Sequence, residues 1–187
     1  MNIRILLYIR YFCLIIFFPF TLIFGFFIKL IRPFFLIRWS PVVNTRIGHH
    51  AANLDMYFLE KNEKIFKPKM KYLDIFYKPG LVSANKQIEK MWDKKIFTLP
   101  WFVIYPLEIL RKKGFFNEDH AFETTARDEH SLLNYSKPIL KFNSGELERG
   151  EKFLKSYGLN LESKFVCLHA RDNIYLDDKK YIYHRFR

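Results

Sequence analysis

The feature that most constrains the fold of this chain is an uncharged run of 18 residues near its amino terminus, residues 11–28. At about 1.5 Å per residue, a helix of this length measures about 27 Å, close to the hydrocarbon thickness of a bilayer. The run is longer than the apolar part of a secretory signal peptide, and no small-residue cleavage site follows it. We therefore predict a membrane helix here, with a buried helix of a soluble protein as the alternative.

The charges beside the apolar run leave its orientation open. Residues 1–40 carry five basic side chains and no acidic ones, and the basic residues flank the run on both sides. The positive-inside rule therefore favours neither transmembrane orientation. Pro19, near the middle of the run, allows a third arrangement, in which a kinked helix enters and leaves the same face of the membrane.

The net charge of +12 over 187 residues is compatible with nucleic acid, anionic lipid or an anionic substrate. The lysines of residues 64–78 are dispersed, and no zinc-finger, ribonucleoprotein or helix-turn-helix motif accompanies them, so we expect no nucleic-acid partner. Attraction to the membrane surface explains the excess charge more simply. Cys13 and Cys167 lie in apolar runs and the six histidines lack ligand spacing, so neither a disulfide framework nor a metal site is predicted.

The rest of the chain alternates between strand and helix patterns. Such alternation predicts an α/β fold with a mainly parallel, Rossmann-like sheet. Strands are predicted by apolar runs that end at turn residues, and helices by apolar spacing and capping residues. The predicted strands are residues 41–44, 72–77, 96–99 and 165–170, and the predicted helices are residues 50–60, 85–95, 103–113 and one that begins after Asn143 and Ser144.

Residues 165–172 read Phe-Val-Cys-Leu-His-Ala-Arg-Asp, a strand pattern that runs into a polar cluster. Both faces of the strand are apolar until His169, which is typical of a parallel strand covered by helices on both sides. Ligands of open parallel sheets bind at the carboxyl ends of the strands, and the guanidinium of Arg171 suits a phosphate or carboxylate. The alternative is a solvated Arg171–Asp172 pair beside a core histidine.

A second constellation occupies residues 46–55, after the predicted strand 41–44. Gly48 predicts a tight turn where backbone approaches a ligand, and an amphipathic helix follows from about residue 50. The free N–H groups of a helix N-terminus bind anions. The alternative is an ordinary strand-to-helix connection with surface histidines. The side chains predicted to surround the anion are those of Arg46, His49, His50 and Asn53.

These two segments, together with residues 183–187 (Tyr-His-Arg-Phe-Arg), resemble a family of bacterial glycosyltransferases of surface polysaccharide synthesis. The resemblance covers about residues 40–187. The His-x-Arg element is also similar to the donor-phosphate motif of fucosyltransferase-like enzymes, which have the two-Rossmann GT-B architecture. The resemblance implies transfer of a sugar from a nucleotide-sugar donor to a glycan or lipid-linked acceptor, without a metal or other cofactor.

The resemblance also implies a donor site formed from two domains. Arg171 would contact the donor diphosphate with His169 beside it, Asp172 and Tyr175 would complete this side, and residues 46–53 would face the same cleft from the first domain. The catalytic base stays unknown, because the acidic segment 117–134 reads as a solvated surface. Since nucleotide-sugars are cytoplasmic, the resemblance implies a bacterial inner-membrane protein whose soluble part faces the cytoplasm.

The predicted domains are a membrane-anchor segment (1–40), a Rossmann-like domain that forms the first half of a GT-B architecture (41–163), and the start of a second Rossmann-like domain (164–187). The 23 residues from Phe165 onward are too few to bury a core of their own, so we expect a truncated chain, an inactive fragment in which most of the donor-binding domain is missing. Alternatively, residues 165–170 add a last strand to the first domain. The second functional class that remains is a noncatalytic, membrane-anchored assembly partner with a Rossmann-like domain.

Overall fold

The computed structural model describes residues 3–160, 162–164, 166 and 168. It contains two compact units, Met1–Lys141 and Phe142–Arg187. The predicted polar residues His169, Arg171, Asp172 and Tyr175 lie outside the described residues, as does most of the strand predicted before them. The elements of the first unit are α1 (Ile3–Ile31), β1 (Leu36–Pro41), α2 (Ile47–Asn62), β2 (Tyr72–Tyr77), α3 (Lys86–Asp93), α4 (Trp101–Lys112) and two short 3-10 helices (Glu118–His120 and Leu132–Asn134), and the second unit contains α5 (Ser144–Ser156).

The sheet of the described part of the chain consists of β1 and β2, which pair in parallel from Leu36 opposite Tyr72 to Pro41 opposite Tyr77. The strand predicted at 72–77 is confirmed, and so is a mixed helix and strand fold with parallel pairing. The strand predicted at 41–44 is wrong in position, because β1 ends at Pro41. Residues 96–99 contribute only a single bridge, from Thr98 to Phe76.

The helices follow their capping residues closely. The Asn85 side chain accepts hydrogen bonds from two backbone N–H groups of α3, and Asn143 forms a capping box with Glu146 at the start of α5. Helix α2 begins at Ile47, three residues earlier than predicted. Gly48 therefore lies inside the first turn of α2, and the predicted glycine turn before the helix is wrong.

Helix α1 continues through Pro19 over 29 residues. By length and composition it is able to cross a membrane, although a signal sequence and the core helix of a soluble protein pass the same test. Only 17% of its apolar window is buried, so most of its apolar surface faces away from the protein.

The main core lies where α1 and α4 cover the sheet. Ile28 of α1, Trp39 of β1, Ile75 of β2 and Leu107 of α4 are each at most 1% exposed and belong to one apolar cluster. Gly25 allows α1 to come close to α4, because a Cβ there would lie 3.0 Å from a methyl group of Leu107. A second cluster lies between α2, β2 and α3, and its buried residues are Val42, Leu54, Tyr57, Phe76, Trp92 and Ile96.

A buried ion pair joins the two strands. Arg38 and Asp74 are opposite each other in the parallel register, and Arg38 donates two hydrogen bonds to Asp74, at 2.7 and 3.1 Å. The hydroxyl of Tyr57 on α2 donates a third, at 2.6 Å. Burial, followed by this hydrogen bond to Asp74, raises the pKa of Tyr57 far above its usual value, so the hydroxyl stays protonated and acts as a donor.

We expect Asp74→Asn to lower the free energy of unfolding by about 3 to 5 kcal/mol, because it leaves the largely buried Arg38 guanidinium without a counter-ion. The measurement is urea denaturation of the detergent-solubilised chain, followed by the fluorescence of the buried Trp39 and Trp92. Lys112→Gln is the control, since this side chain is 68% exposed and its pairing is worth less than about 1 kcal/mol. Equal losses for the two variants would contradict a stabilising role for the Arg38–Asp74 pair.

Candidate functional site

The carboxyl ends of β1 and β2 lie side by side, because the strands are parallel and paired in register. β1 leads through residues 42–46 into α2, and β2 leads through residues 78–85 into α3. Ligands of open parallel sheets bind at this edge, and the N-terminus of a following helix adds N–H groups that point at an anion. The helix that begins at this edge is α2, which carries the predicted residues 46–53.

The two loops at this edge are held together by Asn44 and Gly80. The Asn44 side chain donates to the carbonyl of Gly80 at 3.3 Å, and the N–H of Ala84 donates to the carbonyl of Asn44 at 2.8 Å. A Cβ at Gly80 would lie 2.3 Å from the Thr45 methyl group and 2.4 Å from the Asn44 side-chain oxygen. Only glycine fits at this crossing, and the Asn44 oxygen itself is buried without a hydrogen-bond partner.

The N-terminus of α2 has no side-chain cap. Its N-cap residue is Arg46, whose backbone is extended (φ −127°, ψ 120°) and whose side chain makes no capping bond. Among the described residues no side chain caps the first N–H groups of α2, and the positive end of the helix dipole lies among them. Gly48, in this first turn, is exposed, and nothing would lie within 4 Å of a Cβ there. Its small size is therefore not required for packing.

The adjacent residues His49 and His50 have different environments. His50 is 1% exposed, and neither of its ring nitrogens has a hydrogen-bond partner among the described residues. His49 is exposed, and its Nδ1 lies 3.4 Å from the side-chain oxygen of Asn53. Asn53 is buried and donates to the carbonyl of Thr124 at 2.9 Å. His50 is thus the predicted residue with unused hydrogen-bonding capacity inside the protein.

Burial lowers the pKa of His50, and three charged side chains modify the effect. The carboxylates of Glu89 and Asp93 act to raise this pKa, and the ammonium of Lys78 acts to lower it. Lys78 contacts Asp93 at 2.6 Å and Glu89 at 3.0 Å, and these hydrogen bonds outweigh desolvation and leave the pKa of Lys78 raised. A neutral His50 offers one donor and one acceptor, which suits a phosphate oxygen or a hydroxyl.

The structure thus places Arg46, Gly48 and His50 in the first turn and a half of α2, while Asn53 packs against the segment near Thr124. The opposite side of the predicted cleft, from His169 to Tyr175, lies outside the described residues. Sequence reasoning missed Asn44, Lys78 and Gly80. Their signal was the Pro79–Gly80 pair, which we read only as the end of a strand.

Three acidic side chains of segment 117–134 make structural contacts. Asp119 pairs with Arg32, Glu118 pairs with Arg111, and the Asp128 carboxylate accepts from two backbone N–H groups of the following 3-10 helix. Burial lowers the pKa of His120, whose Nδ1 lies 2.7 Å from the carbonyl of Ile37. Within the described part of the chain, no group of three or more His, Cys, Asp or Glu side chains is placed to hold a metal ion.

An open groove of about 450 Å³ borders the loops at this edge. One wall belongs to α1 and the other to the loops that follow β1 and β2 and to Trp101 of α4. Its lining is mostly apolar and contains one basic side chain. The lining residues are Leu7, Arg10, Tyr11, Thr45, Pro79, Leu81, Val82 and Trp101.

We expect Gly80→Ala to lower the free energy of unfolding by more than about 1 kcal/mol, because the new methyl group would overlap Asn44 and Thr45. Gly48→Ala is the matched control, since its methyl group would meet nothing and alanine favours a helix by up to about 1 kcal/mol. Urea denaturation without added ligand measures both variants. A Gly80→Ala protein as stable as Gly48→Ala would show that the loops at this edge are not held by close packing.

Comparison with known proteins identified no relative of this chain. No family model, no curated protein and no solved structure matches the chain. The case for a function therefore depends on the resemblance of its motifs and on the geometry at the start of α2.

Proposed function

We propose that this chain is, or forms the first part of, a membrane-associated glycosyltransferase that takes a sugar from a nucleotide-sugar in bacterial surface polysaccharide synthesis. The proposed fold is the first Rossmann-like half of a GT-B architecture, and the described parallel pair β1–β2 would be part of its sheet. The observation that carries the proposal is the uncapped N-terminus of α2 beside the buried His50, whose ring nitrogens have no partner among the described residues.

The donor diphosphate has the chemistry that suits the start of α2. Its oxygens accept hydrogen bonds from backbone N–H groups and from a histidine N–H, and its charge is stabilised by the positive end of the α2 dipole. Sugar transfer makes the nucleotide diphosphate a leaving group, so negative charge grows on the bridging oxygen as its bond to the sugar breaks. Fixed donors at that oxygen would stabilise the transition state more than the ground state. Arg171 would add a bidentate contact from the other side.

The groove beside α1 is the proposed acceptor side. Its apolar lining suits the chain of a lipid-linked acceptor, and Arg10 suits an anionic group on that acceptor. A glycan acceptor would use the same opening without filling its apolar part. Because α1 forms one wall, the acceptor would reach the site at the membrane, which we propose to be the bacterial inner membrane with the site on its cytoplasmic face.

One observation favours the second candidate, a noncatalytic membrane-anchored assembly partner. Lys78, the basic side chain in the loop after β2, is already neutralised by Glu89 and Asp93. These carboxylates are near enough to influence the pKa of His50, and they oppose the approach of a diphosphate. In that function the edge of the sheet would be a closed structural unit, and no nucleotide would bind to it.

We expect His50→Gln to weaken the binding of nucleotide diphosphates by about 1.5 to 3 kcal/mol, the value of a hydrogen bond to a charged group. His130→Gln is the matched control, because His130 is exposed and lies outside the proposed site, so the affinity should not change. Calorimetric titration of the detergent-solubilised chain with a panel of nucleotide diphosphates and nucleotide-sugars measures both. Equal effects of the two substitutions would remove His50 from the proposed site, and no binding by the parent chain would favour the noncatalytic function.

The same titration has a predicted pH dependence. Burial lowers the pKa of His50 below its usual value of 6.5 in the free protein, and a bound phosphate would raise it because the anion favours the protonated ring. Binding should therefore take up a proton, and the affinity should increase as the pH falls from 7.5 through 6.5 toward the lowered value, with the fold change limited by that shift. Titrations in two buffers of different ionisation enthalpy measure this uptake, and it should disappear in His50→Gln but persist in His130→Gln.

We expect Arg171→Ala to weaken nucleotide-sugar binding by about 1.5 to 3 kcal/mol as well, because it removes the predicted contact to the diphosphate. Arg187→Ala is a control with the same change of charge at a position not predicted to touch the donor. The readout is the same titration. Similar losses for both variants would indicate a general effect of charge, and unaltered binding by Arg171→Ala would remove Arg171 from the donor site.

A further inference from the structure

Helix α1 has one face that packs on the protein and an opposite face that is exposed and largely apolar, with Arg4 near its amino end. Along the exposed face, Tyr8, Ile15, Ile23 and Leu30 follow one another at intervals of seven or eight residues, which keeps them on one side of an α-helix. Their exposed fractions are 76%, 73%, 69% and 62%. An apolar strip of this length, about 33 Å at about 1.5 Å per residue, requires an apolar surrounding.

The opposite face contacts the same compact unit over its whole length. Near the amino end, Arg10 donates to the carbonyl of Pro79 at 2.7 Å and its guanidinium lies 3.8 Å from the ring centre of Trp101. In the middle, the rings of Phe17 and Phe102 are 5.0 Å apart. Toward the carboxyl end, Gly25 lies against Leu107 of α4. The contacts therefore advance along α1 and α4 in the same direction.

The carboxyl end of α1 is attached to this unit as well. Ile28 is fully buried in the main core, Lys29 lies 4.2 Å above the ring of Phe115, and Arg32 pairs with Asp119. Arg10 and Arg32 are thus about 33 Å apart along the helix, by the rise of about 1.5 Å per residue, and both contact the folded unit. A helix that crossed a bilayer of about 30 Å would carry these two ends to opposite sides of the membrane.

Crossing would also place the packed unit inside the hydrocarbon. Helix α4 lies along α1, so its Glu108 and Arg111, paired at 2.8 Å, would enter the bilayer with the edges of the sheet. Charged side chains are rare at the centre of a bilayer because desolvating them is unfavourable, and open sheet edges do not occur in contact with lipid. The contacts of α1 are therefore incompatible with a helix that crosses the membrane at right angles to its plane.

From this geometry we propose that α1 lies in the plane of the membrane, with its exposed strip in the boundary between headgroups and acyl chains and the folded unit on the water side. The inference rests on the membrane association proposed above, and it assigns that association a monotopic form. An interfacial helix normally needs a polar face toward water. In this chain the folded unit covers that face, so a helix that is apolar nearly all round is able to lie flat.

The charges near the strip agree with an anionic lipid surface as its partner. Residues 1–40 contain five basic and no acidic side chains, and Arg4 and Lys29, near opposite ends of α1, are exposed. Both ends of a flat helix lie at the level of the headgroups, where basic residues are attracted to anionic lipid. A second copy of the chain would instead need a complementary apolar face, and basic residues at both ends of the strip would repel one another in an antiparallel pair.

Spin labels along the strip test this arrangement. The full chain, with Cys13→Ser and Cys167→Ser, receives one label at a time through Tyr8→Cys, Ile15→Cys, Ile23→Cys or Leu30→Cys, and Lys94→Cys provides an aqueous reference. Each protein is reconstituted into vesicles of mixed zwitterionic and anionic lipid. The relative access of oxygen and of a water-soluble nickel complex, measured by electron paramagnetic resonance, gives the depth of each label.

We expect the four labels to lie at one depth, within about 5 Å of one another and about 5 to 10 Å below the headgroups. A crossing helix would place the labels at 15 and 23 deepest and those at 8 and 30 near opposite surfaces, and this profile would overturn the inference. Poor access of oxygen together with dipolar broadening would identify a second copy of the chain as the occupant. If the nickel complex reached the four labels as readily as it reaches the label at position 94, the strip would not lie in the bilayer. Because depth is measured without nucleotide, failure of the donor-site proposal would leave a uniform depth unchanged.

Discussion

The parallel pairing of β1 and β2 is the constraint on which the other features of the first unit depend. It sets Arg38 opposite Asp74, and the buried ion pair with the Tyr57 hydroxyl then fixes α2 against the sheet. It also brings the carboxyl ends of both strands together, so that Asn44 and Gly80 meet. A shift of one residue in this register would turn Asp74 away from both partners and separate the loops. The geometry of the candidate site therefore depends on the register of the two strands.

The apolar helix α1 and the candidate site contact the same loop, the one that follows β2. Arg10 of α1 donates to the carbonyl of Pro79, and the next residue, Gly80, accepts from Asn44. Two successive backbone carbonyls of this loop thus join α1 to the segment just before α2. In a monotopic arrangement the groove between α1 and this loop lies at the membrane surface. An acceptor held in the membrane would then approach the proposed donor site without leaving the lipid boundary.

Patterns that depend on neighbouring residues predicted the elements well. The strand 72–77, a helix near residues 85–95, the cap at Asn143 and the long apolar helix follow from local alternation, apolar spacing, capping chemistry and hydrophobic length. Gly48 was misinterpreted, because a glycine near a helix start resembles a turn glycine, while the residue that sterics require is Gly80 in another loop. Its necessity arises from a contact between loops 36 residues apart in sequence. No local pattern contains that information, and the same holds for the Arg38–Asp74 pair.

The energetics at His50 separate the two proposed functions. A buried donor or acceptor without a partner costs about 1 to 3 kcal/mol, and His50 contributes one of each. If His50 binds a phosphate, the hydrogen bond to the phosphate offsets this cost. The bound ligand should then stabilise the folded protein. The paired Lys78, Glu89 and Asp93 act in the opposite direction, because they leave an excess of negative charge near the ring. Protonation of His50 would cancel that excess, so an enzyme built on this site should bind its donor with proton uptake. A purely structural histidine in the same place would only lose stability as the pH falls below its usual pKa.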